Sequence, residues 1–317
     1  MYNYCTLFDS NYLTRGLAMY ESLKKYSEIF HLYIFSFDDK SYELLKKLNL
    51  EFVTVISLKE FEDKELLQVK EDRTAREYCW TCTPSTIKYC IKSYNLDACT
   101  YLDADLYFFS NPAVLIEEMN EKSVLITGHR YTPKYDQTAI SGIYCVQFMT
   151  FKNDNNGMKI LNWWRDACIE WCYDKFEDGK LGDQKYLDDW TSRFKGVHVL
   201  QNLGGGVAPW NVQQYDLLGD ENFHLIFYHF HGYKILENDR VDLGSYKLSA
   251  NDVDVIYKPY TKNLEKITIE LKELDLVNDY NGLVQYDTFN WKNIERKIKR
   301  KIRGSYNIFS KKELLEA

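Results

Sequence analysis

Apolar and polar positions alternate in blocks along the first half of the chain, and the blocks switch period. Tyr2 to Phe8 is a short apolar run that predicts a strand. Leu13 to Tyr26 carries Leu13, Leu17, Tyr20 and Leu23 at spacings of four, three and three, which makes one apolar stripe of a helix. The unit then repeats. His31 to Phe37 predicts a second strand, Lys40 to Leu48 a second helix and Phe52 to Ile56 a third strand, with a few polar residues at each junction. Such alternation implies an α/β class with a parallel sheet covered by helices. Further along, the pattern predicts a helix over 84–94, a short buried strand over 99–102, a helix over 112–119, strands over 123–127 and 142–151, and a long helix over 155–174. A body of residues 1–260 and a charged, helix-favouring C-terminal extension of 261–317 follow from where the motifs end.

Composition narrows the class. Of 317 residues, 45% are hydrophobic and 27% charged, enough for a large core and for solubility, which excludes a disordered chain. No apolar run approaches the ~18 to 20 residues that span a bilayer, and Met1 to Cys5 opens without a basic or long apolar leader. Eight cysteines in that setting read as reduced thiols, and a cytoplasmic location is expected. The net charge of −7 is uneven. Residues 291–303 hold seven Lys or Arg against one Glu, so this stretch carries +6 and the remainder −13. An acidic body does not suit nucleic acid. Trp291, Ile294, Ile298 and Ile302 fall at spacings of three, four and four, which predicts a basic amphipathic helix resting on an anionic membrane surface, with the protein peripheral on its inner face; the competing reading is a helix docked on the acidic body or on a second subunit.

The residues that can carry chemistry cluster after the strand over 99–102. Asp103-Ala104-Asp105 sits where that strand ends, and open α/β sheets bind ligands beyond the carboxyl ends of their strands. Two carboxylates at this spacing can share a divalent cation that bridges to diphosphate oxygens. Spacing alone is weak evidence, because Asp252-Val253-Asp254 repeats it in a stretch with no other sign of a site. A partner for the first pair lies at Phe227-Tyr228-His229-Phe230-His231-Gly232-Tyr233-Lys234. One imidazole added to two carboxylates makes a mixed shell that suits Mn²⁺, or Mg²⁺, better than Ca²⁺. His229 and His231 are both candidates for the third ligand, and Lys234 for neutralising a leaving diphosphate.

Taken together these segments resemble GT-A-fold nucleotide-diphospho-sugar glycosyltransferases, close to glycosyltransferase family eight, through residues 1–235. Thr6-Leu7-Phe8-Asp9-Ser10-Asn11-Tyr12, with Gly16 and Ser22-Leu23, is similar to the family's first-strand loop that holds uridine. Tyr101-Leu102-Asp103-Ala104-Asp105 is similar to its metal-binding motif, Gly182-Asp183-Gln184-Lys185 to its Asp-Gln motif, and His229-x-x-Gly232 to its later metal-ligand motif. The resemblance implies a mixed sheet flanked by helices and transfer of a sugar from a UDP-sugar to an acceptor hydroxyl of a glycan or glycolipid, with retention, in bacterial surface glycan assembly. It implies that Asp9 and Asn11 meet the base or ribose, that Tyr12 stacks on uracil, that Asp103, Ala104, Asp105 and Lys234 hold the diphosphate and its cation, and that Asp183 and Gln184 lie beside the reacting sugar. The chain departs from the pattern at Cys145 and Gln147, where the family carries Asn and Gly, and at Lys234, two rather than three residues beyond Gly232. The family's basic residue ahead of the D-x-D has three candidates here, Arg73, Arg76 and Lys88.

Rival readings are a sugar-nucleotide-binding protein without turnover and, less favoured, a D-x-D phosphatase, which prefers Thr or Val where Tyr107 stands. Cys79-x-x-Cys82 reads as a buried thiol pair rather than a zinc or redox site. Gly204-Gly205-Gly206 reads equally as a ligand-approaching loop, a lid or a plain connection.

Overall fold

In the computed structural model, which describes residues 1–274, 281–284 and 291–316, the predicted alternation builds one large sheet. In chain order the strands are β1 (Tyr2–Phe8), β2 (Phe30–Ser36), β3 (Val53–Ser57), β4 (Ala98–Leu102), β5 (Leu106–Phe108), β6 (Val124–Gly128), β7 (Tyr144–Lys152), β8 (Val197–Val199), β9 (Phe227–His229), β10 (Lys234–Leu236), β11 (Arg240–Asp242) and β12 (Ile308–Ser310). The described helices of ten or more residues are α1 (Leu13–Tyr26), α2 (Asp39–Leu48), α3 (Ala75–Ser93), α4 (Asn155–Glu170), α5 (Lys258–Leu274) and α6 (Trp291–Ile302).

The seven-stranded sheet runs β3-β2-β1-β4-β7-β6-β8. Its first four strands are parallel, as the βα alternation requires. The sheet is mixed rather than wholly parallel, because β7 runs antiparallel to both β4 and β6 while β8 returns parallel to β6. Side chains alternate across the sheet. On β1, Tyr4 and Phe8 face a core that includes α1 and α5, whereas Cys5 and Leu7 face a second core that includes α3 and α4. The eight cysteines are free thiols, and Cys5, Cys90 and Cys99 meet, fully buried, between β1, α3 and β4.

Two elements differ from the periodicity. Helix α3 begins at Ala75, well before Pro84, behind a capping box in which Thr74 Oγ1 accepts from the Glu77 backbone and Glu77 Oε2 accepts from Thr74. Pro84 reads in sequence as a first-turn residue but sits inside the helix, where burial on the sheet offsets one missing hydrogen bond. Residue 260, the expected end of the motif-bearing body, lies within α5, whose Tyr260, Leu264, Ile267 and Leu271 are buried in the first core. Near the C-terminus β12 pairs with β11, so the described part of the extension packs onto the body. The second D-x-D pair has a local use: Asp252 accepts from the Ser249 backbone in a helix cap, and Asp254 pairs with Lys258.

Candidate active site

The apolar run of β4 ends at Leu102, and the chain turns at once. Asp103 N–H donates to the Gln147 carbonyl on β7 at 3.0 Å, and Leu106 N–H donates back to the Asp103 carbonyl at 3.2 Å. Ala104, between the carboxylates, is buried in the core, which points the turn inward. Strand β5 then pairs antiparallel with β9, setting Leu106 opposite His229. The register is locked by Phe230 N–H on the Asp105 carbonyl and His229 N–H on the Val207 carbonyl, each 2.9 Å. A histidine distant in sequence is thereby seated between the two carboxylates. His229 Nε2 lies 3.2 Å from Asp105 Oδ1 and 3.7 Å from Asp103 Oδ2, and one ligand atom from each of the three residues falls within 4.8 Å of the others.

The electrostatics of the three are coupled. Burial alone would depress the His229 imidazole, but Asp105, by charge and hydrogen bond, together with Cys145 and Asp103, holds it well above its ordinary value. Burial pushes the Asp103 carboxyl up to about 6 against the pull of His229, with Asp105 adding to the rise. Asp105, half-buried, is also pushed up by desolvation, yet His229, His231 and Arg15 bring it below the ordinary carboxylate range. The His229 imidazole favours its protonated form because the two desolvated carboxylates beside it favour a positive charge between them. Two carboxylates and one fixed imidazole fit a divalent cation of the Mn²⁺ or Mg²⁺ type, with Asp103, Asp105 and His229 as its ligands.

His231 follows the end of β9. Its ring stands 5.8 Å from that of His229 and 5.5 Å from that of Trp210, outside the group of three ligand atoms. The chain then turns at Gly232, with φ of +81°, and Lys234 opens β10 with its charge acting on His231.

Asp183 and Gln184 lie on the α4 side. Trp164, fully buried, donates its indole N–H to the Asp183 carbonyl at 2.9 Å, and the Gln184 amide donates to the Ser141 carbonyl at 2.8 Å. Burial, and after it the charge of Asp103, push the Asp183 carboxyl up to about 8. Between pH ~4, where an unfolded Asp loses its proton, and about 8, the folded protein therefore holds a proton that the unfolded chain has released. Stability falls as pH rises through that window, by at most about 1.4 kcal/mol per pH unit, and levels off above it. Asp183→Asn removes this titration. With divalent cations chelated, its melting temperature is expected to exceed that of the unaltered protein by a margin that widens from pH 5 to pH 8. Parallel curves would contradict the assignment.

The loop after β1 is self-braced. Both carboxylate oxygens of Asp9 accept from Asn11, one from its backbone and one from its side-chain amide, each at 3.0 Å. Asp38 accepts from Ser10 N–H and caps α2. Tyr12 stays 43% exposed with the Arg15 guanidinium 4.6 Å from its ring centre, and its hydroxyl feels the charges of Asp105, Arg15, Arg76 and Asp103. Arg15 also donates to the Asn281 carbonyl at 2.8 Å, which ties residues 281–284 to this loop.

The fold places the residues that the sequence alone leaves ambiguous. Of the three basic candidates, Arg73 is buried with its guanidinium donating to Tyr173 and to the Ile169 carbonyl, Lys88 is half-buried on α3, and Arg76 is exposed and paired with Asp174 at 2.9 Å, with its charge acting on both Tyr12 and His231. Cys145, on β7, is buried beside His229 and Trp210. Gln147 is fully buried, and neither atom of its amide has a partner among the described residues; a Cβ at Gly206 would lie 3.4 Å from its Nε2. The three glycines are a pinned connection rather than a lid. A Cβ at Gly204 would come 1.8 Å from the His224 carbonyl oxygen, one at Gly205 2.8 Å from Leu200, and Gly206 adopts φ of +83°. Asn211 holds the far end, donating to the carbonyls of His129 and Gly206.

No family model matches the chain. It is 32% identical over 286 residues to the uncharacterized protein YfnD of Bacillus subtilis (strain 168), spanning 86% of this chain and 91% of YfnD. In structure it is similar to the bifunctional glycosyltransferase WbbM, with a TM-score of 0.55 and 11% identity over 87% of this chain and 52% of that one. It is also similar to the galactosyltransferase LgtC, solved with donor and acceptor sugar analogues, with a TM-score of 0.53 and 12% identity over 83% of this chain and 95% of that one. At such identities the likeness is one of fold, and the seven-stranded mixed sheet flanked by helices is the GT-A arrangement.

Proposed function

The chain belongs to one family with YfnD of Bacillus subtilis and has the GT-A fold, and from that premise we propose that it is a metal-dependent glycosyltransferase. In this reading it moves a sugar from a UDP-sugar to a hydroxyl of a glycan or glycolipid, with retention, in bacterial surface glycan assembly. The observation that carries the reading is the meeting of Asp103, Asp105 and His229 at the end of β4. A Mn²⁺ or Mg²⁺ ion bound there supplies positive charge against the diphosphate that leaves the sugar.

The chain's own residues do the rest. Tyr12 offers a half-exposed ring face to the base, backed by Arg15. Asp9 and Asn11, bonded to each other, shape the loop that meets the ribose. Arg76 and Lys234 add cations on the side of His231, where an anionic leaving group departs. Asp183 and Gln184 wall the sugar; with the Asp183 carboxyl protonated near neutrality, it donates a hydrogen bond rather than attacking the anomeric carbon. Retention then proceeds by internal return, in which the departing phosphate takes the acceptor proton.

UDP release from a panel of UDP-sugars, with Mn²⁺ and with a chelator, tests the proposal. Mn²⁺-dependent release, accelerated by acceptor, is expected. Tight UDP binding without any release supports the rival reading of a binding protein without turnover. Proton NMR of the new anomeric centre tests retention, and an inverted product would place the chemistry in another class.

A further inference from the structure

Helix α6 is anchored on one side and open on the other. Arg300 is 9% exposed and makes two hydrogen bonds of 2.7 Å to the carboxylate of Asp242 on β11, with further bonds to the carbonyls of Gly244 and Ser305. At about 100° per residue, the direction of Arg300 is roughly opposite the stripe formed by residues 291, 294, 298 and 302. The stripe therefore points away from the body. Trp291 is 82% exposed, Ile298 52% and Ile302 81%, and Ile294 is exposed as well. Docking on the acidic body would hide these side chains, and the structure does the reverse.

Charge flanks the stripe. Lys297 and Lys301 stand on one side of it, near the Tyr306 ring, and Lys299 and Arg303 on the other. With Arg300 turned inward, Arg296, Lys297, Lys299, Lys301 and Arg303 remain exposed around the stripe with Glu295, while the chain outside residues 291–303 is strongly acidic. No described helix is long and apolar enough to cross a membrane.

We infer that α6 lies flat on an anionic bilayer, with Trp291, Ile294, Ile298 and Ile302 entering the headgroup boundary and the flanking lysines and arginine meeting lipid phosphates. A narrow apolar stripe edged by basic residues is the pattern of interfacial helices. One stripe of four side chains offers well under the ~800 Å² per partner of a stable protein interface, which favours the bilayer over a second copy. The same charges turn the acidic body away from the surface, so the Arg300–Asp242 pair sets an orientation rather than a loose tether. This inference does not depend on the proposed transfer reaction.

Vesicle co-sedimentation of the full chain tests it, using phosphatidylglycerol and phosphatidylcholine vesicles, with two double variants, Ile298→Ser/Ile302→Ser and Lys297→Glu/Lys301→Glu. All four positions are exposed, so folding is expected to survive and is checked by thermal melting. The unaltered protein is expected to bind the anionic vesicles only, and each variant to lose at least tenfold in partition. Equal binding to both vesicle types, or binding unchanged in both variants, overturns the inference. So does a dimer, seen by light scattering and lost in the Ile variant, in a protein that ignores both vesicles.

Discussion

Asp103→Asn is expected to lower sugar transfer by about a hundredfold or more and to abolish its dependence on Mn²⁺, with the fold intact. The amide keeps the shape of the carboxyl but removes the charge that a divalent cation needs. Asp103 is a demanding place to keep that charge. Burial pushes its carboxyl up to about 6, so it ionises near neutrality only because positive charge is close by. His229, 3.7 Å away, is placed to supply it, and in the proposed reaction a divalent cation held by the same residues would do so. His229→Ala is expected to lose activity on a similar scale, while His231→Ala, outside the group of ligand atoms, is expected to lose less. Steady-state turnover across a Mn²⁺ titration checks all three variants, and a Mn²⁺-dependent Asp103→Asn enzyme would remove the cation from this position.

Arg300→Met is expected to destabilise the protein by about 3 to 5 kcal/mol, the usual result of stripping one partner from a buried ion pair. Asp242 is 3% exposed, and its two oxygens accept from the Arg300 guanidinium at 2.7 Å. Without Arg300 its charge remains buried on β11, the strand that joins β10 to β12. The loss comes from the stranded carboxylate more than from the pair itself, because two ions taken out of water roughly cancel their own attraction. The double variant Asp242→Leu/Arg300→Met is therefore expected to be more stable than Arg300→Met alone. Urea unfolding measures both, and a single-variant loss below about 1 kcal/mol would mean that solvent reaches Asp242.

Sequence patterning carried much of this architecture because its signals are local. The βα alternation of residues 2–57 is visible in period changes, and β4 with its terminal Asp103 and Asp105 is visible as an apolar run ending in charge. What was not legible depends on long-range pairing. His229 and His231 are equivalent in sequence, and only the register of β9 against β5 seats His229 between the carboxylates. Strands of three residues such as β9 and β10 are too short to show a period. Arg73 and Arg76 look alike in sequence, and only the fold separates Arg73, buried against Tyr173, from Arg76, exposed and paired with Asp174. Arg300 sits in a run of charge that reads as a uniformly solvated face, and nothing local announces that one member turns inward onto Asp242.

Gln147 gives the same lesson in reverse. A polar residue in the buried strand β7 is conspicuous in sequence, and its unpaired amide beside Gly206 is what a strand built for packing alone would avoid.

In the proposed reaction Asp103, Asp105 and His229 hold a cation which in turn holds the diphosphate. Calorimetric titration of UDP into the protein, with Mn²⁺ and with a chelator, tests it most directly. UDP is expected to bind at least a hundredfold more tightly with Mn²⁺, and Asp105→Asn to bind it with the same weak affinity in both conditions. Equal affinity with and without Mn²⁺ in the unaltered protein would contradict the account.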